Sequence, residues 1–251
     1  MKKYSIFFLV VLLLVGFALF RLKLPRPNIL PTTGVDDFMK AINNCLDKNF
    51  LPQKTSLKES GLRNTASYQV ALKSRTFTPE ENSNLALQCL ASLPNDRKYH
   101  ALVQLYQPPS ETQKKVLETK GISLQNYIPD NAWFAVFTKS ISQNDIQDIS
   151  LIIRWVGSIL PSDRSSAEIR NNQAGSWAKR GSNVMVEISF FSDVSNIDVE
   201  NLIARYNGTI NNKIEYSNKY IIEIENNLQE KLSSEDSIRW IDQISPPPTT
   251  P

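Results

Sequence analysis

"LIIRWVGSIL" at residues 151–160 and "SIRWIDQISP" at residues 237–246 decide the fold. Each carries Ile-Arg-Trp among apolar neighbours, and the two triplets lie 85 positions apart. Working outward, "NAWFAVF" (131–137) aligns with "NKYIIEI" (218–224) at a spacing of 87, and Gly121 aligns with Gly208 at the same spacing. Landmarks in one order at nearly one offset read as an internal duplication.

Both copies read strand–helix–strand–strand–helix–strand. In the first, Ala101, Val103 and Leu105 alternate along "YHALVQLYQ", the spacing of a strand. Ser110 caps "SETQKKVLETKG", and Gly121 stops it. "ISLQNYIPD" and "NAWFAVFTK" form a hairpin turning at Asp130–Asn131, "SQNDIQDISL" is a short helix, and "IIRWVGSILP" closes the unit. In the second, Val184, Val186, Ile188 and Phe190 alternate, and "SNIDVENLIARYNG" is the long helix. Asn207-Gly-Thr209 matches a glycosylation sequon, but the helix-ending turn is the preferred reading. The fold class is therefore α+β, with two tandem ferredoxin-like βαββαβ domains. Each is expected to pack two helices on one face of a four-stranded antiparallel sheet and leave the other face open. Trp155 and Trp240 are expected to bury their rings against the helices, with Arg154 and Arg239 toward the open face.

The domains read as a membrane anchor over 1–24, a proline-rich spacer with a small helical region over 25–97, the first unit over 98–163, a linker over 164–181 and the second unit over 182–248. Residues 4–20 form an uncharged run of 17 behind Lys2 and Lys3, within the length of a spanning helix. No small-residue cleavage site follows it, so an uncleaved signal anchor with an extracytoplasmic body is expected; the alternative is secretion after signal cleavage. "DDFMKAINNCLDKNF" and "TPEENSNLALQCLASL" read as helices, the second capped by Thr78 with Pro79 in its first turn. They carry the only cysteines, Cys45 and Cys89. In an oxidising compartment these are a candidate disulfide, worth roughly 3–4 kcal/mol on the chain-entropy model; the alternative is two buried thiols.

Composition narrows the chemistry. Net charge is +3 with acids and bases mixed, which argues against nucleic acid. Eight glycines supply no phosphate-binding loop, and one histidine with two distant cysteines makes no zinc set, so no cofactor or metal is expected. The single histidine, His100, begins a strand with no nucleophile turn nearby, and reads as a surface or strand-edge residue rather than a catalytic base.

The stretch "HALVQLYQPPSETQKKVLETKGISLQNYIPDNAWFAVF", followed by "IIRWVGSILPSD", resembles the region upstream of the catalytic domain in secreted bacterial subtilisin-like serine peptidases (subtilases). The distinctive part is Gly121-Ile-Ser-Leu-Gln-Asn-Tyr-Ile-Pro-Asp-Asn-Ala132, and the resemblance covers about residues 98–248. The family's catalytic Asp, His and Ser motifs are absent from these 251 residues. The resemblance implies a non-catalytic propeptide-like protein that binds, inhibits or assists folding of a subtilisin-like protease. Its sheet would dock on the enzyme, and Ile244, Ser245, Pro246, Pro247 and Pro248 would enter the substrate cleft. The competing reading is a membrane-tethered protein-binding module with no protease partner.

Overall fold

Residues 68–91, 98–138, 141–214 and 216–248, with the isolated position 44, are described by a computed structural model. All of them belong to the compact unit Met39–Pro251. The fold is α+β, with antiparallel sheets and helices packed on them. The anchor over 1–24, all but position 44 of the helix expected over 36–50, and the Cys45 side of the candidate disulfide lie outside the described residues. Among the described residues, no helix is long and apolar enough to cross a membrane.

A short hairpin, β1 (Val70–Ala71) and β2 (Thr76–Phe77), precedes helix α1 (Ser83–Ala91). The first repeat follows as β3 (Tyr99–Leu105), α2 (Glu111–Thr119), β4 (Ile122–Ile128), β5 (Ala132–Phe137), α3 (Ile146–Ser150) and β6 (Ile153–Gly157). The connecting segment holds a 3-10 turn (Pro161–Arg164), α4 (Ala167–Arg170) and β7 (Lys179–Arg180). The second repeat is β8 (Asn183–Phe190), α5 (Asn196–Arg205), β9 (Thr209–Ile214), β10 (Lys219–Glu225), α6 (Gln229–Ser233) and β11 (Ile238–Gln243). Strand order is β4-β5-β3-β6 in one sheet and β11-β8-β10-β9 in the other. Numbered within each repeat, both orders run fourth, first, third, second.

Local chemistry places the helix ends. Ser110 accepts from the Gln113 N–H while the Gln113 side chain accepts from the Ser110 N–H, a complete capping box. Ser195 caps α5 by accepting from the Asp198 N–H. Asp130 and Asn131 both take positive φ, at 63° and 58°, so the β4–β5 hairpin turns on two left-handed residues. The glycine landmarks differ in cause. Gly121 has φ 86°, which a side chain resists, whereas in the second repeat Asn207 takes the left-handed position at φ 52°. Gly208 serves close packing instead: a Cβ there would meet Ile203 Cγ2 at 2.9 Å and Ile224 Cγ2 at 3.0 Å.

In the second repeat, Val184, Val186, Ile188 and Phe190 share one core with Val199, Leu202 and Ile203 of α5 and Leu232 of α6. The helices thus cover one face of that sheet. On the other face Met185, Glu187, Lys219, Ile221 and Glu223 are only half-buried.

The first repeat departs from the expectation of an open sheet. All seven residues of β3 are buried. Leu102, Ile128, Ala132 and Trp155 cluster with Val70, Ile159 and Phe191, and with Phe77 and Val194 at the margin. None of these is a helix residue. The second face of the first sheet is therefore covered by the β1–β2 hairpin and by the Phe191–Val194 loop of the second repeat. Trp155 is 2% exposed, but its ring packs edge-on against Phe77 at 5.7 Å rather than on the helices. Trp240 is half-buried and lies beneath Lys73, 4.9 Å from its ring centroid. The expected burial of Trp240 against helices is not what the fold adopts.

The helix expected from Thr78 begins only at Ser83. Edge strand β6 draws residues 79–82 out straight. Arg154 donates two hydrogen bonds to the Pro79 carbonyl, each 3.0 Å. Asn82 both donates to the Val156 carbonyl (2.9 Å) and accepts from its N–H (3.0 Å), filling a place that a neighbouring strand would take. α1 then packs beside α3 and β6.

Candidate functional site

His100 lies on β3, whose neighbours are β5 and β6, so it occupies an interior strand. It is 5% exposed, which corrects the expectation of a surface or strand-edge residue. Two carboxylates from the second repeat enclose its ring. Nδ1 is 2.7 Å from Asp236 Oδ2, and Nε2 is 2.9 Å from Asp193 Oδ1. Phe191 stacks on the ring at 3.9 Å with an interplanar angle of 7°. The backbone places these partners simply. Asp193 and Phe191 sit in the loop leaving β8, and Asp236 in the turn entering β11, so both carboxylates come from one end of the second sheet.

Neighbouring charges complete the seam. Gln125 Nε2 donates to Asp193 at 2.8 Å, and Lys98 Nζ approaches its other oxygen at 3.2 Å. Arg164, 2% exposed, donates to the Asp236 carbonyl at 2.9 Å and to the Ile238 carbonyl. Its Nη2 is 3.5 Å from Asp236 Oδ1. The preceding residue, Asp163, accepts from Arg75 Nε and Nη2, both at 2.8 Å, and from Ser74 Oγ at 2.8 Å. Adjacent residues of the connecting segment thus hold the β1–β2 hairpin on one side and the start of β11 on the other. The sequence reads residues 164–181 as a polar linker; in the fold Arg164, Ser165 and Ser166, with Asp163 just before them, are all buried.

Electrostatics follow from this packing. Burial disfavours a charged His100, but the hydrogen bonds its ring donates to Asp193 and Asp236 outweigh it, and its pKa is raised from 6.5. Burial likewise disfavours the Asp193 anion, yet the hydrogen bonds from His100 and Gln125 hold its carboxyl well below the usual range. Burial, then the nearby Asp236 charge, pushes the Tyr99 hydroxyl up. Arg164 is lowered by burial, against which Asp236 and Asp163 act.

Chemically, this arrangement joins surfaces. Two acceptors satisfy both ring nitrogens only when the imidazole carries both protons. Neither ring nitrogen faces a hydroxyl or thiol among these contacts. Among the described residues, no group of three or more His, Cys, Asp or Glu side chains is arranged to hold a metal ion.

The residues singled out from sequence are dispersed. Cys89 lies half-buried on α1 and is disulfide-bonded, while Cys45 is outside the described residues. Ile244 packs against the second core, and its carbonyl accepts from Trp177 Nε1 at 2.9 Å. Ser245, Pro246, Pro247 and Pro248 are exposed beyond β11. Asp193, Asp236, Arg164 and Gln125 carry no motif that marks them in the sequence; the one signal is the single histidine, His100, within an alternating apolar strand.

Residues 71–160 match a family model described as a domain of unknown function, DUF8729. That stretch runs from the hairpin through β6 and stops short of the Asp163–Arg164 clamp. No curated protein and no solved structure matches the chain.

Proposed function

We propose that this chain is a non-catalytic, exported protein of two ferredoxin-like, propeptide-inhibitor-like repeats, held at a membrane by residues 4–20, that binds a subtilisin-like serine protease. The observation that carries the reading is the asymmetry of the two sheets. The first repeat's sheet is occupied on both faces, so docking falls to the second repeat. Its open face combines Met185 and Ile221 with the charges of Glu187, Lys219 and Glu223, and its last strand leads directly into the exposed Ser245–Pro248 tail. A sheet face beside an extended tail suits peptide-like insertion into a protease cleft. Proline after Ser245 removes backbone donors and makes a poor scissile bond.

The test is steady-state inhibition of a panel of subtilisin-like proteases by the full-length chain and by a form lacking residues 245–251. Inhibition that weakens on tail deletion, with unfolding unchanged, supports the cleft mechanism. Inhibition indifferent to the tail would leave only sheet docking. Failure against every protease would favour the second reading, a membrane-tethered binding module whose open second sheet meets another protein.

A further inference from the structure

Beside the open sheet, a cleft of about 180 Å³ lies where the hairpin, the first repeat and the second repeat converge. Its apolar walls include Tyr127, Ile128, Phe134 and Trp240. Two cations, Lys73 and Arg239, line it as well. The one acid in the lining, Asp163, is already engaged by Arg75 through two hydrogen bonds of 2.8 Å.

Among the described residues, Lys73 and Arg239 have no such partner: neither forms an ion pair with a carboxylate, and the Arg239 guanidinium makes no hydrogen bond. Arg239 is half-buried, and burial alone lowers its pKa. A guanidinium withdrawn from water without an acceptor is costly, and arginine's planar fork matches a carboxylate's two oxygens. The Lys73 ammonium already rests over the Trp240 ring, 4.9 Å from its centroid. Aromatic walls beside two unneutralised cations select a ligand that is flat and apolar at one end and anionic at the other. The cleft, about 180 Å³, has room for one ring with a short acidic arm.

We propose that this cleft binds a small monocarboxylate with a planar apolar body, its carboxylate taken by Arg239 and Lys73 and its ring lying among Trp240, Phe134 and Tyr127. This site is independent of protease binding. It uses the junction of the repeats rather than the Ser245–Pro248 tail.

Isothermal titration of the full-length chain with 3-phenylpropionate tests it, with 3-phenylpropionamide as the uncharged isostere. Saturable binding of the acid is expected, with the amide weaker by about tenfold or more, because the charge-assisted hydrogen bonds are lost. Arg239→Gln should weaken the acid by about tenfold and leave the amide unchanged. Arg239→Lys should fall between, since it keeps the charge but not the fork. Thermal melts of both variants check folding, and should Arg239→Gln fail to fold, Arg239→Lys and the acid–amide comparison decide. Equal affinity for acid and amide, unchanged affinity in folded Arg239→Gln, or no saturable binding below about 10 mM would overturn the proposal.

Discussion

His100 and Asp236, 136 positions apart, meet through both backbone and side chain: the carboxylate accepts the His100 N–H at 3.1 Å and lies 2.7 Å from Nδ1. Each repeat thus supplies one half of a buried ion pair, and the interface acquires a pH dependence. His100 faces Asp236 and Asp193, with Lys98, Gln125, Tyr99 and Arg164 around them.

His100 has a pKa raised from 6.5 in the folded chain, so its stabilising contribution is full below about pH 6.5 and is lost as pH rises through the raised value. Asp193 has a lowered pKa, so its contribution is full above the ordinary carboxylate range and is lost on acidification. Denaturant melts should show stability greatest between these limits and declining on the alkaline side. His100→Gln should remove the alkaline decline. A decline that persists in the variant assigns it to another group.

Trp155→Ala should destabilise the protein by about 3–5 kcal/mol, because the ring fills the space between the first sheet and the hairpin. Trp240→Ala should cost far less, since that ring is half-buried over a cleft. Urea midpoints of the two variants measure the difference. Equal losses would contradict the separate environments.

Arg164→Met should cost about 3–5 kcal/mol, the scale for breaking a buried pair, by taking the guanidinium away from the Asp236 carboxylate and from two carbonyls. Arg205→Ala breaks the more exposed pair with Glu235 and should cost under about 1 kcal/mol. Chemical denaturation of both variants checks the ranking.

Phe191→Ala should cost about 3–5 kcal/mol and loosen the repeats from each other. The ring is fully buried, stacks on His100 and lies 5.7 Å from Phe134. Hydrogen exchange should then rise first at His100 and Leu102. Unchanged exchange there would show that the charged seam holds the repeats without it.

The strand and helix pattern of both repeats was legible because it depends on short-range physics. Alternating apolar residues fit only one sheet face, Ser110 and Ser195 offer caps to the helices they precede, and Asp130–Asn131 tolerates left-handed backbone. The marks that recur at nearly one offset rest on the same local chemistry.

What tertiary structure alone decided was the use of each sheet's second face. Nothing local tells Trp155 from Trp240, since both follow Ile-Arg in equivalent last strands. Their fates differ because a hairpin some 80 residues upstream of Trp155 covers one ring, while the other borders a cleft. The helix misplaced at Thr78 has the same cause, for a free strand edge at β6 outbids a local capping signal. His100 is the extreme case. Sequence establishes that there is one histidine; its burial between two carboxylates exists only once loops more than 90 positions away close around it. Local propensity acts over a few residues, whereas burial and charge pairing depend on which surfaces the whole chain brings together.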